Sequence, residues 1–159
     1  MKLRATTSCL SFLLSCLLVA PRSVTAQSSR AQIDKSITTN IGDATTFQAF
    51  FAQLKQAVEK QDATAVAAMV SYPITINPRT KAAVTLRTPQ RFLSRYAQII
   101  TPHIAEVIEK QRYEDLFVND QGAMLGSGEV WIAGICKDKA CKQSAIKIRT
   151  IQNTTGKNN

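Results

Sequence analysis

Apolar residues along this chain follow two periods, one of about 3.6 residues and one of two, and together they outline the fold. From Ala44 onward Phe47, Phe50, Phe51, Leu54 and Val58 form one helical stripe, with Asp43 placed to cap its start. Asp62 is the cap of a short alanine-rich helix, Ala63 to Val70. Thr88-Pro89 and Thr101-Pro102 each set a capping hydroxyl before a proline at the first helical position, so two more helices are predicted. The first carries Phe92, Leu93, Tyr96, Ile99 and Ile100, and the second carries Ile104, Val107 and Ile108.

Alternation of period two marks the strands. After Tyr72-Pro73 forces an extended backbone, Ile74 and Ile76 alternate with Thr75 and Asn77. Lys81 to Leu86 reads as the partner strand, with Val84 and Leu86 inward, and Leu116 to Asn119 as a further short strand. Gly122 to Ile132 is the longest strand-like stretch and holds the single tryptophan. As one strand it puts Met124, Gly126, Gly128, Val130 and Ile132 on an apolar, glycine-notched face, and Leu125, Ser127, Glu129 and Trp131 on the other. In the last strand Ile146 and Ile148 alternate with Lys147 and Arg149. The class is therefore α+β: N-terminal helices packed on a curved antiparallel sheet, in one domain over residues 44–151. Residues 27–43 and 152–159 are polar and read as a flexible arm and a tail; the tail opens on Asn153-Thr154-Thr155, a glycosylation sequon if the host modifies exported chains.

The N-terminus changes the picture of where this domain works. Lys2 and Arg4 precede an apolar run from Cys9 to Ala20, and Val24-Thr25-Ala26 supplies small residues for cleavage, so residues 1–26 read as a secretory signal peptide. Lipidation at Cys16 would suit an apolar run that stops there, whereas Leu17 to Ala20 continue it. The run is too short to span a bilayer, and the expected protein is exported, periplasmic or secreted, with no membrane span. Cys9 and Cys16 leave with the leader. Cys136 and Cys141 remain, and in an oxidising compartment they read as a disulfide closing a hairpin tip; a metal site would need further ligands, and the one histidine, His103, is distant in sequence.

The formal net charge is +9 at pH 7, from 20 basic and 11 acidic residues. For an exported protein this points to anionic surfaces or ligands rather than nucleic acid. The charge is also segregated: residues 63–105 contain no acid, against Arg79, Lys81, Arg87, Arg91 and Arg95. Arg91 and Arg95 lie one helical turn apart and form a candidate anion-facing patch.

The order of these elements resembles the cone-shaped fold of the nuclear transport factor two-like superfamily. Phe50 to Val58, Val70-Ser71-Tyr72-Pro73-Ile74, Phe92-Leu93-Ser94-Arg95-Tyr96, and Asn119 to Gly122 through Gly126 to Trp131 look like exported bacterial members of mostly unassigned function. The resemblance covers about residues 44–151, and its motifs, a proline break and a glycine turn, speak for fold more than for chemistry. Some members are isomerases or dehydratases with an acid or histidine base and tyrosines inside the cone. The chain departs from that pattern, because no acid falls where such a base is expected.

Three functional readings follow. The first is a non-catalytic binding module with an apolar pocket for a small ligand, bordered by Tyr72, Tyr96, Gly126 and Gly128. The second is an isomerase- or dehydratase-like enzyme using those tyrosines. The third is a surface interaction protein that binds anionic partners through Arg91 and Arg95. His103 is the sole candidate general base, and its place at a helix start disfavours its charged form. No phosphate loop, zinc spacing or catalytic triad is visible, so no catalytic residue, metal or cofactor is assigned. Trp131 beside Glu129 on a polar face implies a partner, and the resemblance implies a homodimer through the outer sheet face; a bulge that flips the alternation would instead send Trp131 to the core.

Overall fold

The computed structural model of the protein describes residues 24–78, 80–141 and 143–153, with side chains from residue 29 onward. The expected leader, with Cys9 and Cys16, lies outside the described residues except for its last three positions, which open a helix. That helix, α1 (Val24–Asn40), replaces the expected flexible arm. Ile33, Ile37 and Ile41 recur every fourth residue, so one face turns inward, and Ile37 is fully buried. Polar groups on the same side tie the helix down further. The Tyr113 hydroxyl donates to Asp34 at 2.6 Å, Gln48 Nε2 donates to the same carboxylate at 2.8 Å, and the Arg30 guanidinium lies 4.9 Å from the centre of the Tyr113 ring.

The helix α2 (Ala44–Glu59) starts where Asp43 accepts from Thr46 N and Oγ1, both at 2.7 Å, and these bonds hold the Asp43 carboxyl below its ordinary value. Its stripe buries Phe47, Phe51, Leu54 and Val58, each contributing about 1.5–3 kcal/mol, while Phe50 is half-buried. Asp62 caps α3 (Ala63–Ala68), and the Lys147 ammonium reaches the Ala68 carbonyl at 2.7 Å at its other end. The helix predicted after Thr88-Pro89 divides into α4 (Pro89–Leu93) and α5 (Tyr96–Ile99), with Arg95 at the junction. The helix α6 (Pro102–Lys110) begins at the Thr101 cap and buries Ile104 and Ile108.

Six strands form one curved, unclosed sheet: β1 (Val70–Ile76), β2 (Val84–Leu86), β3 (Phe117–Asn119), β4 (Gly122–Leu125), β5 (Val130–Cys136) and β6 (Ser144–Ile151). Their order is β2-β1-β6-β5-β4-β3, so β2 and β3 are the edges. The sheet is mixed rather than antiparallel throughout, because the first and last strands, β1 and β6, pair in parallel as the second and third strands of the order. The helical layer covers one face, where Ile74, Leu125, Ile132 and Ile148 are fully buried. The other face is open.

The glycine-notched stretch is not one strand. It folds into the hairpin β4–β5, with Gly126 to Glu129 as the turn, Gly126 at φ +65° and Gly128 at φ +114°. Both conformations favour glycine, and a side chain on Gly126 would strike the Glu129 carboxylate and Val107 of α6. Because a turn intervenes, Met124 and Val130 do not share a face: Met124 pairs with Trp131 on the open side and Leu125 with Val130 on the buried side. At the far end of β5 the expected disulfide is present. Cys136 and Cys141 are bonded with Cα atoms 4.8 Å apart, inside the range such a bridge spans.

Candidate anion-binding cleft

The acid-free part of the chain, residues 63–105, runs from α3 through β1 to the β2 edge and the two short helices α4 and α5, and ends in the first turn of α6. Thr88 ends the β2 side of this unit and caps α4 through its hydroxyl, 3.3 Å from Arg91 N. Phe92 anchors α4 from beneath, fully buried and edge-on to both Tyr72 and Tyr96 with ring centres 6.4 and 6.3 Å apart. With Phe92 inward, Arg91 points away from the core. The result is a cleft of about 440 Å³ between β2 and α4, lined by Val84, Thr85, Leu86, Arg87, Thr88, Arg91 and Arg95.

Its electrostatics are one-signed. Arg87, Arg91 and Arg95 are exposed, no acid lines the cleft, and among the described residues none of the three guanidiniums makes an ion pair. An uncompensated cluster of planar donors is suited to carboxylate, phosphate or sulfate, which accept two N–H bonds from one guanidinium. Arg91 and Arg95 do not share one continuous helix as predicted; α4 stops at Leu93, and Arg95 is brought to the cleft by the break that follows. Arg87, which the sequence offers with Arg79 as a further member of the patch, lines the same cleft, and Arg79 lies outside the described residues.

A smaller cavity of about 140 Å³ adjoins the cleft and shares Val84, Leu86 and Arg95 with it. Its remaining walls are Ile76, Ala82 and Ile99, together with Asn77, Gln98 and Asn153. Asn77 and Asn153 clasp each other: Asn77 Nδ2 donates to Asn153 Oδ1, and Asn153 N donates to Asn77 Oδ1, both at 2.7 Å. Asn153 Nδ2 also donates to the carbonyls of Gln98 at 2.6 Å and Ile99 at 3.3 Å. This clasp ties the end of β6 to α5. Nothing in the sequence pattern points to it, since the partners are 76 residues apart.

The other expected site residues lie elsewhere. Tyr72 donates its hydroxyl to the Ala67 carbonyl at 3.0 Å, and burial pushes its pKa up to about 12. The Tyr96 hydroxyl is shielded from solvent without a hydrogen-bond partner, and burial followed by the nearby Asp62 charge raises its pKa. The two rings sandwich Phe92 in the helical layer rather than bordering a pocket with the glycines. Gly126 and Gly128, in turn, open onto two different surface clefts: Gly126 beside His103, Glu106 and Lys110, and Gly128 beside Trp131 and Arg149.

Trp131 is half-buried on the open face, opposite the buried Val130 and Ile132, and the register irregularity that follows it does not carry it into the core. Glu129 does not accompany it. It belongs to the β4–β5 turn, where Oε2 accepts from Ser127 N at 2.5 Å and Oε1 lies 3.4 Å from His103 Nε2. Across the open face the register aligns one residue from every strand, in the order Thr85, Thr75, Thr150, Trp131, Met124, Phe117. The row is polar at one end and apolar at the other, where Phe117 is 53% exposed. Among the described residues no cluster of His, Cys, Asp and Glu could hold a metal, and no helix is long and apolar enough to cross a membrane. No family model, no curated protein and no solved structure matches this chain.

Proposed function

We propose that the protein is an exported binding module that engages an anionic ligand through the cleft of Arg87, Arg91 and Arg95. One observation carries this reading: three guanidiniums converge on one cleft without an acid among its lining residues. Like charges gathered in this way repel, and a bound anion relieves that repulsion. Export rests on the leader-like N-terminus together with the Cys136–Cys141 bond, which persists in oxidising compartments. Helices on one face of a curved open sheet agree with membership of the nuclear transport factor two-like superfamily, which we propose as the fold family.

The test is the affinity for inorganic phosphate at low salt, compared between two variants of equal charge change. Arg91→Gln with Arg95→Gln should lose most of the binding, whereas Lys35→Gln with Lys60→Gln, exposed and outside the residues that line the cleft, should retain it. Equal losses in the two variants would reduce the effect to net charge and remove the site.

A second reading concerns the open face. The exposed apolar end of the Trp131, Met124, Phe117 row favours a second copy of the chain packed there, as a homodimer. Trp131→Ala should then give a folded monomer whose sedimentation is independent of concentration, and a wild type that stays monomeric at high concentration would end this reading. The enzymatic reading has less support, since Tyr72 is committed to Ala67 and the Tyr96 hydroxyl is enclosed by the helical layer.

A further inference from the structure

The cleft and the cavity beside it differ in chemistry while sharing a wall. In the cleft the groups left without partners are cations. In the cavity the polar side chains Asn77 and Asn153 bond to each other and to the backbone of α5, so their hydrogen-bonding demand is met inside the protein. Apart from Gln98 and the Arg95 at its mouth, what the cavity offers a guest is therefore its apolar surface, from Ile76, Ala82, Val84, Leu86 and Ile99. Val84 is 36% exposed on an edge strand, a large apolar group left facing this space. Arg95 lines both compartments and stands at the junction between them.

We infer that the occupant is a small amphiphilic organic anion, its apolar body seated in the cavity of Ile76, Val84, Leu86 and Ile99 and its charged end held by Arg95 with Arg91 and Arg87. This rests on the anion-binding reading above and narrows it to one ligand class. The size follows from the volume. A cavity of about 150 Å³ is known to accept a benzene ring, and this one measures about 140 Å³, so the body is a single ring or a branched chain of similar bulk. Burying such a body removes apolar area from water on both partners, which inorganic phosphate cannot do. The charge then supplies orientation: the body enters first and the anionic group stays at the wet mouth, where a guanidinium meets it without full desolvation. A long acyl chain exceeds the cavity, and a neutral ring forgoes the arginines.

Benzoate, benzyl alcohol and inorganic phosphate are the probes, each titrated into the full exported chain while methyl and arginine side-chain resonances are followed by NMR. Benzoate should shift the methyl signals of Ile76, Val84, Leu86 and Ile99 together with the arginine signals, whereas phosphate should shift the arginine signals alone. Ala82→Leu, at an exposed position on the cavity wall, should weaken benzoate by roughly tenfold through lost space and leave phosphate unchanged. Arg95→Gln should weaken both anions. If benzoate moves only the arginine signals and binds no better than phosphate, the cavity inference is overturned while the anion cleft stands. Benzyl alcohol binding as tightly as benzoate overturns it from the other side. If neither anion shifts any arginine signal, both readings fall.

Discussion

Two surface clefts of similar size lie on this domain, and they treat charge in opposite ways. The cleft beside β2, about 440 Å³, gathers Arg87, Arg91 and Arg95 with no acid. The groove beside α6, about 560 Å³, mixes His103, Glu106, Lys110, Arg112 and Asp115. There the charges are already paired: Lys110 bonds Glu106 at 2.6 Å and Arg112 meets Asp115 at 3.5 Å, while His103 Nε2 lies 3.4 Å from Glu129. Space alone does not distinguish them. The difference is compensation, and a groove whose charges already pair has little to gain from an ion, whereas the β2 cleft has everything still to neutralise.

The largest effect expected from perturbing this contrast is on the scaffold. Phe92 supports the short helix that aims Arg91, and Phe92→Ala should cost about 3–5 kcal/mol of stability in a denaturant titration, with loss of phosphate binding wherever the protein remains folded. A stability change under 1 kcal/mol would mean that α4 does not depend on its aromatic anchor. Reduction of Cys136–Cys141 should cost less, about 2 kcal/mol for so short a loop, and should leave both clefts as they were. Thiol counting on the denatured, unreduced protein should find neither of these two cysteines free.

Next in size is a contrast between two tyrosines that flank Phe92. Tyr72→Phe gives up the bond to the Ala67 carbonyl and should cost about 1 kcal/mol, while Tyr96→Phe removes a hydroxyl with no partner and should be neutral or stabilising. The pH dependence has a definite sign. With the folded pKa of Tyr72 at about 12 and an unfolded value of about 10, the unfolded state releases the proton first. Stability is therefore intact below pH 10 and falls as pH rises toward 12, and Tyr72→Phe should flatten that decline in unfolding curves measured at alkaline pH. An unchanged slope would show that Tyr72 does not titrate with unfolding. Tyr113, raised by burial and by its bond to Asp34, adds to the same trend.

The smallest effect sharpens the comparison itself. Glu106→Gln with Asp115→Asn strips the α6 groove of two acids and leaves Lys110 and Arg112 unmatched. If compensation is what separates the clefts, this variant should gain a severalfold increase in phosphate affinity that disappears at high salt. A groove that stays indifferent to phosphate would show that geometry matters as well.

Much of the scaffold was legible because its signals are local. Asp43, Asp62, Thr88 and Thr101 each precede a helix, and each accepts the predicted backbone N–H. The misreadings also have local causes. Gly126-Ser127-Gly128 carries a turn signal, yet Leu125 and Val130 flank it with apolar residues whose alternation looks unbroken, and the stretch passed for one strand. In and just after α1 the isoleucines at 33, 37 and 41 are sparse among polar residues, although their four-residue spacing is helical. Of the site, the basic patch at Arg91 and Arg95 was legible and its geometry was not. The run of arginines without acids is plain in the sequence, but the cleft depends on the break between α4 and α5 and on the edge position of β2, and the cavity on a clasp between residues 77 and 153. Long-range pairings of that kind leave no periodic trace.

The Asn77–Asn153 clasp has a consequence for modification. Asn153 heads a sequon, and oligosaccharide transfer needs the same Nδ2 that here donates to the Gln98 and Ile99 carbonyls. A folded chain holds that nitrogen against α5, out of reach of a transferase, whereas an unfolded chain presents it freely. In a host that glycosylates exported proteins the two events compete for one atom: a molecule that closes first keeps its clasp and stays bare, and a molecule that is modified first must place a branched sugar where α5 belongs. Site occupancy at Asn153 would then report how quickly the last strand docks.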